Sequence, residues 1–280
     1  MLLKNPAKKL WPKITKKELF EYYQEIADLI LPFLKNRPIT VNRCPNGIKK
    51  ECWIQKDFSD FKNLPGFVHL WPSFSFSAKR HLLYCLVQNK ETLLWLVNLA
   101  SIEFHIWFST ITQPDKPDWL IFDLDIGEKA TFSDIKDVAF ILKDEIFKKW
   151  RLKSWVKTTG KTGLHVLIPV RPQKTYKTVR QILKKFILEL DQKYPDKIAV
   201  EARIKKRAGK VYLDYAQNAK GKLMIAPYSA RVFKKFTISL PLSWKELKKF
   251  EYSYFEHPKQ VLAFLKRRKD PWEDLRRQNY

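Results

Sequence analysis

The sequence predicts a mixed α/β (α+β) fold, and three observations carry that prediction. Short apolar runs with strand character, such as Trp119-Leu120-Ile121-Phe122, alternate with longer stretches whose apolar residues recur at helical spacing. Hydrophobic residues are 45% of the 280 and aromatics 14%, enough for a substantial core and too many for a disordered chain. No Pro/Gly/Ser-rich linker and no internal period interrupts the pattern. That predicts a single domain over 1–280, one compact unit with packed submodules near 1–100 and 101–240 and closing helices over 241–280.

The elements follow in order. Residues 1–13 form an extended basic lead with Lys4, Lys8, Lys9 and Lys13. Thr15-Lys16-Lys17-Glu18 is a capping box, and Leu19, Tyr22, Tyr23, Ile26, Leu29, Ile30 and Phe33 continue it as the core face of one helix ending before Pro38. Ile39–Arg43 and Cys52–Gln55 read as strands joined by a turn at Pro45-Asn46-Gly47. Phe67–Leu70 and His81–Leu86 are further strands, Thr92–Ala100 a short helix, and Ile102–Trp107 an alternating strand with His105 opposite Phe104 in facing. A helix over Ala130–Trp150 follows the 119–125 strand. Trp155–Lys157 and Leu164–Val170 are strands around the polar turn Thr158–Gly163, and Thr178–Leu190 is a helix. The very basic stretch 201–210 (Arg203, Lys205, Lys206, Arg207, Lys210) leads into a strand at Val211–Tyr215, with Leu223–Ala226 expected as its partner. Trp244–Phe250 and Pro258–Lys269 are helical, and the basic C-terminal end is expected to fray.

Lys plus Arg is 54 against 29 Asp plus Glu, a net charge of +25. That excess predicts a polyanionic partner, because neutralised phosphates release counterions, with an anionic membrane surface as the competing partner. No apolar run reaches a membrane-spanning length and no signal peptide is visible, so the expected location is cytoplasmic and nucleoid-associated. Cys44, Cys52 and Cys85 are odd in number and lack zinc spacing, which predicts free thiols in a reducing compartment. Seven glycines exclude a P-loop-like phosphate cradle.

Asp123-Leu124-Asp125 ends the 119–122 run. Side chains alternate along a strand, so both carboxylates project from one face. Two close carboxylates repel, and a hard cation relieves them while leaving positions open for phosphates. Two solvated acids at a strand end would look the same in sequence. Asp214, a single acid in an apolar strand, also requires compensation. The turn Thr158–Gly163 offers backbone N–H groups to an anion, and Lys16 in a helix first turn, where the dipole disfavours cations, suits a phosphate-binding end.

Seven strings occurring in one order, LWPKITKKELFEYY, RPITVNRCPNGI, CWIQKD, EFHIW, DWLIFDLD, KTTGKTGLHVLIPV and VYLDYAQNAKGKLMIAPYSAR, resemble the polymerase domain of bacterial ligase D, within the archaeo-eukaryotic primase superfamily. The resemblance runs from about residue 4 to 233. It implies an RRM-like catalytic module beside an N-terminal α/β module, and template-dependent nucleotide addition in non-homologous end joining. It makes Asp123, Asp125 and Asp214 the catalytic ligands of two Mn²⁺ (or Mg²⁺) ions, one activating the primer 3′-hydroxyl and one neutralising the leaving pyrophosphate. His105, Thr159, Lys161, His165 and Arg231 become nucleotide-binding residues. Lys8 and Lys16 become the grip on a downstream 5′-phosphate, Trp53 and Ile54 the template-stacking pair, and Lys56 a further DNA contact.

Three departures stand out: Thr159 replaces a usual Ser but keeps the hydroxyl, Phe233 replaces a second Arg so that one triphosphate contact is either missing or supplied elsewhere, as by Lys234, and Ile54 replaces an aromatic. The implied partners are gapped or broken DNA with a 5′-phosphate, nucleoside triphosphates with ribonucleotides preferred, a DNA ligase and Ku, and no membrane. Met1 and the lack of ligase or nuclease motifs favour a free-standing protein. Gap filling in excision repair is the neighbouring reading. A non-catalytic nucleic-acid-binding module is disfavoured by acids facing phosphate, and a nuclease leaves the Thr/Gly turn, His165 and Arg231 without a purpose.

Overall fold

The computed structural model describes residues 2–75, 78–126, 130–200, 209–251 and 255–277. Arg203, Lys205, Lys206 and Arg207 of the basic stretch, and the expected fraying end at 278–280, lie outside them. The chain divides into two compact units interleaved in sequence: residues 1–112, 223–239 and 254–270 form the first, and 113–222, 240–253 and 271–280 the second.

In the first unit the basic lead folds into β1 (Lys9–Trp11) and β2 (Ile14–Thr15), paired antiparallel. Thr15 and Glu18 complete the expected capping box and start α1 (Lys16–Glu25). The single predicted helix is in fact two: Ile26 ends α1 and opens α2 (Ala27–Leu34), which finishes ahead of Pro38 as expected. The hairpin strands are β3 (Pro38–Arg43) and β4 (Trp53–Gln55), followed by β5 (His69–Ser75), β6 (Arg80–Leu86), α3 (Lys90–Asn98) and β7 (Ser101–Trp107). Their sheet runs β13 (Leu223–Ile225)–β7–β3–β6–β5, with β4 paired to β3. Phe104 faces α1, where its ring meets Tyr23 at 5.0 Å, and the Tyr23 hydroxyl donates to Ile102 O. Glu103, His105 and Trp107 therefore face the other way.

The second unit is built on β8 (Trp119–Ile126). Its sheet runs β11 (Ile198–Ala199)–β12 (Val211–Asp214)–β8–β10 (Leu164–Pro169)–β9 (Trp155–Thr158)–β14 (Pro241–Leu242). α4 (Phe132–Trp150), capped by Thr131 and Asp134, and α5 (Tyr176–Lys193) cover one face. Phe122 packs on Phe186 at 5.8 Å, and Phe186 on Trp150 at 4.5 Å, so the side chains of Phe122 and Leu124 belong to the helix-covered face. Asp123 and Asp125 occupy the opposite face.

Two expectations are corrected. Leu223–Ala226 does not pair with the Asp214 strand; β13 pairs with β7 in the first unit, and β12 pairs with β8 and β11. β8 and β11 take both edges of β12, which leaves it no edge for a hairpin partner, and the buried Asn218 beyond β12 accepts from Ile121 N–H and donates to Ile121 O. Nor are the three cysteines all free thiols: Cys44 and Cys52 form a disulfide, with Cα atoms 4.4 Å apart. They follow directly on the last β3–β4 register pair, Arg43 with Trp53, so the ladder itself delivers the two sulfurs to each other. Cys85 is free and buried, and burial pushes its thiol up to about 12. Among the described residues no helix is long and apolar enough to cross a membrane.

Candidate functional site

Directly opposed residues of an antiparallel pair share a face. Asp214 of β12 stands opposite Asp123 of β8, His165 of β10 stands on the other side of Asp123, and Lys157 of β9 stands opposite His165. These four side chains form one transverse row across four neighbouring strands of the second unit, and Asp125 shares their face two residues along β8. Contacts link the row: His165 Nε2 is 3.2 Å from Asp123 Oδ1, and Lys157 Nζ is 2.8 Å from His165 Nδ1. Burial grades along it. Lys157 is fully buried, Asp123 and Asp214 are half-buried, and Asp125 is exposed. Asp214 Oδ1 accepts from Ala216 N–H at 2.8 Å, which fixes one side of that carboxylate.

The polar turn closes against this row. Thr159 N–H donates to Gly163 O, and Thr159 Oγ1 accepts from the N–H groups of Lys161 at 3.3 Å and Gly163 at 3.1 Å. The expectation of N–H groups offered outward is thus modified, because two of them are spent on the threonine hydroxyl. Gly163 is required here: a Cβ would sit 2.6 Å from Leu124 O and 3.5 Å from Asp125 Oδ1. The turn is therefore pinned beside the second carboxylate of the pair.

Among the described residues no three His, Cys, Asp or Glu side chains converge as a ready metal cluster. The donor set nonetheless fits a hard divalent cation. Asp123, Asp125 and Asp214 supply oxygen only and share one face, so their like charges add on that face and favour a cation. These are the residues that can hold Mn²⁺ or Mg²⁺.

The first unit holds a second polar cluster, around Glu103. Its carboxylate accepts from His105 Nε2 at 3.0 Å, Val232 N–H at 2.8 Å and Asn42 Nδ2 at 3.3 Å, and lies 3.3 Å from Arg231 Nε. Burial alone would raise this carboxyl. The hydrogen bond from His105 and the Arg231 charge outweigh it and hold the group at about 2. His105 and Arg231, expected to bind nucleotide, are thus brought together by one residue that sequence reasoning passed over. Glu103 alternates with His105 along β7, and that spacing was the available signal. Lys157 was passed over too, although a lysine inside an apolar strand was itself a signal.

The same unit carries the residues expected to contact DNA. Lys8 and Lys16 are neighbours: the lead folds back on the helix start, and Lys16 N–H donates to Lys8 O. The anion-binding argument from the helix end is corrected, however. The Lys16, Lys17 and Glu18 N–H groups are taken by Lys8 O, Pro6 O and Thr15 Oγ1, and Lys16 Nζ donates to Lys4 O at 2.7 Å and Asn98 Oδ1 at 3.0 Å. What remains is charge. Burial, and then the neighbouring Lys8, Lys4 and Arg43, lower the Lys16 ammonium, as crowded cations do. Lys8 Nζ donates to Asn46 Oδ1 on the hairpin turn, whose Gly47 (φ +82°) lies so close to the lead that a Cβ would meet Lys9 O at 2.9 Å. Trp53 and Ile54 are 41% and 57% exposed on β4, available for stacking, with Arg43 5.2 Å above the Trp53 ring. Lys56 follows β4, half-buried.

A row of carboxylates, a hydroxyl-and-glycine turn and a basic hairpin carrying the exposed Trp53 are the features from which phosphate binding was expected. The family follows from comparison: the model for "LigD, primase-polymerase domain" matches residues 15–272, and the chain belongs to that family. The bifunctional non-homologous end joining protein LigD of Bacillus subtilis is 35% identical over 236 residues, covering 84% of this chain and 37% of that protein. The multifunctional LigD of Mycolicibacterium smegmatis is 29% identical over 249 residues, 88% of this chain and 32% of that one. The chain thus spans well under half the length of these relatives. Among solved structures, the polymerase domain from Mycobacterium tuberculosis Ligase D in complex with DNA matches at a TM-score of 0.90 and 26% identity, over 99% of this chain and 98% of that one. The expected primase-like α/β fold is thereby shown.

Proposed function

We propose that the chain is a template-dependent nucleotidyltransferase that fills gaps or extends ends during double-strand break repair by non-homologous end joining. One observation carries the reading: Asp214 lies in register with Asp123, and Asp125 shares their face, all turned away from the helices that cover the sheet. Family membership and the names of the relatives support it.

In this reading Asp123, Asp125 and Asp214 hold two Mn²⁺ or Mg²⁺ ions. When bound, these supply charge neutralisation and a lowered pKa at the attacking hydroxyl. The chain's own residues do the rest. Thr159 shapes the turn beside Asp125, and Lys161 on that turn adds positive charge for the triphosphate. His165 offers an N–H, and Arg231 and His105 are held for the nucleotide by Glu103. Lys8 and Lys16 supply the charge that recognises a downstream 5′-phosphate, Trp53 stacks on the template, Ile54 wedges beside it, and Lys56 meets the backbone. Ribonucleotide preference, a ligase and Ku as partners, and a cytoplasmic, nucleoid-associated location belong to the same proposal.

The test is extension of a gapped duplex, with and without a 5′-phosphate, with each nucleotide type and Mn²⁺. The expected result is templated addition, fastest with ribonucleotides on the phosphorylated gap. No addition under any of these conditions would overturn the function.

A further inference from the structure

We propose that the Cys44–Cys52 disulfide is a reversible redox clamp on the exposed hairpin, closed to hold Trp53 and Ile54 in place and opened by a dithiol. Little else fastens this strand. β4 has three residues, lies off the main path of its sheet and, among the described residues, pairs with β3 alone. Trp53 and Ile54 are exposed and bury little apolar surface that would hold it. Beyond the ladder it is tied by Arg43, which donates to Gln55 Oε1, and by the disulfide. The two ends of that bond differ. Cys44 has no exposed surface, and its N–H donates to Ala100 O, which anchors it to the sheet. Cys52 is half-buried and directly precedes Trp53. The bond thus fastens an exposed strand to a fixed point.

The same bond closes the loop 44–52 against the basic lead. Ile48 N–H donates to Leu10 O at 2.8 Å, and Asn46 Oδ1 accepts from Lys8 Nζ. Closing a loop removes conformations from the chain, and opening it returns them. Opening therefore loosens both the Trp53/Ile54 strand and the turn beside Lys8. In a reducing compartment, where the chain is proposed to work, disulfides are rare and those present usually serve catalysis or redox sensing. The step is thiol–disulfide exchange. A thiolate of an external dithiol attacks Cys52 Sγ, the Sγ–Sγ bond breaks, and Cys44 leaves with the electron pair and takes up a proton. The second thiol of the reductant then displaces Cys52 from the mixed disulfide. Two electrons and two protons have passed to the cysteines, and the reductant is left as a disulfide. The reverse exchange with a disulfide oxidant closes the clamp. Cys85 stays out of it, because it is buried and its thiol is pushed up to about 12.

The consequence for DNA rests on the proposed reading of the hairpin as a template contact. The clamp does not, so the two can fail separately. The full chain is equilibrated, folded, with oxidised glutathione or with dithiothreitol. Intact mass after unfolding and maleimide labelling should count one thiol and no glutathione in the first, and three thiols in the second. Three thiols after oxidation, or one after dithiothreitol, overturns the proposal. Amide hydrogen exchange over residues 45–55 should rise about tenfold on reduction, with α1 and β8 unchanged. Equal exchange in the two forms, or a rise shared by α1 and β8, overturns the clamp. None of these readings needs a variant to fold.

Affinity for a gapped duplex should fall about five- to tenfold on reduction. Cys52→Ser, which cannot close, should match the reduced protein and ignore dithiothreitol. A response of Cys52→Ser to dithiothreitol traces the effect to another group and overturns the proposal. Faster hairpin exchange with unchanged DNA affinity retains the clamp and removes the hairpin from template contact.

Discussion

Glu103 in the first unit and Asp123 in the second are both carboxylates held beside a histidine, yet the two sites are built in opposite senses. Glu103 is 4% exposed, and four groups from three segments of chain converge on it: His105, Asn42, Val232 N–H and Arg231. Its charge is matched within the fold, and the result is a scaffold. Asp123 stands in a row with another acid beside it and a third on the same face, at a rim that opens from the fully buried Lys157 to the exposed Asp125. Like charges set side by side cost stability unless something else meets them. A carboxylate surrounded by donors holds structure, whereas a carboxylate set among carboxylates is set for a ligand.

The largest test of that contrast is Asp125→Ala. Nucleotide addition with Mn²⁺ should fall about a thousandfold or more, because a cation ligand is gone. DNA affinity should hold or rise, because a negative charge near phosphate is removed. Gapped-duplex extension and a DNA titration read the two effects, and extension at the wild-type rate would remove the assignment.

Glu103→Gln should do the reverse, lowering stability by roughly 3 kcal/mol at neutral pH by leaving Arg231 without its charge partner. The pH dependence has a definite sign. The Glu103 carboxyl is held at about 2, below its ordinary value, so its contribution is complete above about pH 4 to 5 and fades as pH falls towards about 2. Denaturant melts of both proteins across that range should converge at the acid end. A constant difference would show that the charge of Glu103 is not what stabilises the cluster.

Arg231→Ala comes next. If Arg231 serves the triphosphate as well as Glu103, nucleotide affinity should drop by about 1.5–3 kcal/mol with DNA affinity unchanged. Loss of DNA binding with normal nucleotide binding would move Arg231 to the other role.

The smallest effect is expected of Lys8→Ala/Lys16→Ala. Wild type should prefer a gapped duplex that carries the 5′-phosphate, and the double variant should lose that preference by several-fold. An equal loss on both substrates would mean that the two lysines only contribute to the general field of the +25 chain.

How much of this was legible depended on whether the signal was local. The capping box at Thr15 and Glu18, the Asp123/Asp125 spacing and the Thr159 turn are set within a few residues, and the structure places all three. The family resemblance grouped Asp214 with Asp123 and Asp125, and the strand of Asp214 does pair with β8. The partner of β13 could not be read, because pairing with β7 joins segments far apart in the chain and because β11 and β8 fill both edges of β12. The interleaving of the two units hides for the same reason. Parity misled for the cysteines: an odd count concealed a pair that the register of the hairpin brings together. Glu103 and Lys157 were overlooked because a single charge in an apolar strand shows its meaning only once its partners across the sheet are known.

The most direct test of the central claim is calorimetric binding of a nucleoside triphosphate, with and without Mn²⁺, to wild type, to Asp123→Asn/Asp214→Asn and to Glu103→Gln. The account predicts that Mn²⁺ tightens binding in wild type, that the aspartate pair variant loses this metal dependence, and that Glu103→Gln keeps it even where its overall affinity or stability is lower. Metal-dependent binding that survives in the aspartate variant, or vanishes in Glu103→Gln alone, would contradict the division between a scaffold carboxylate and a ligand-binding row.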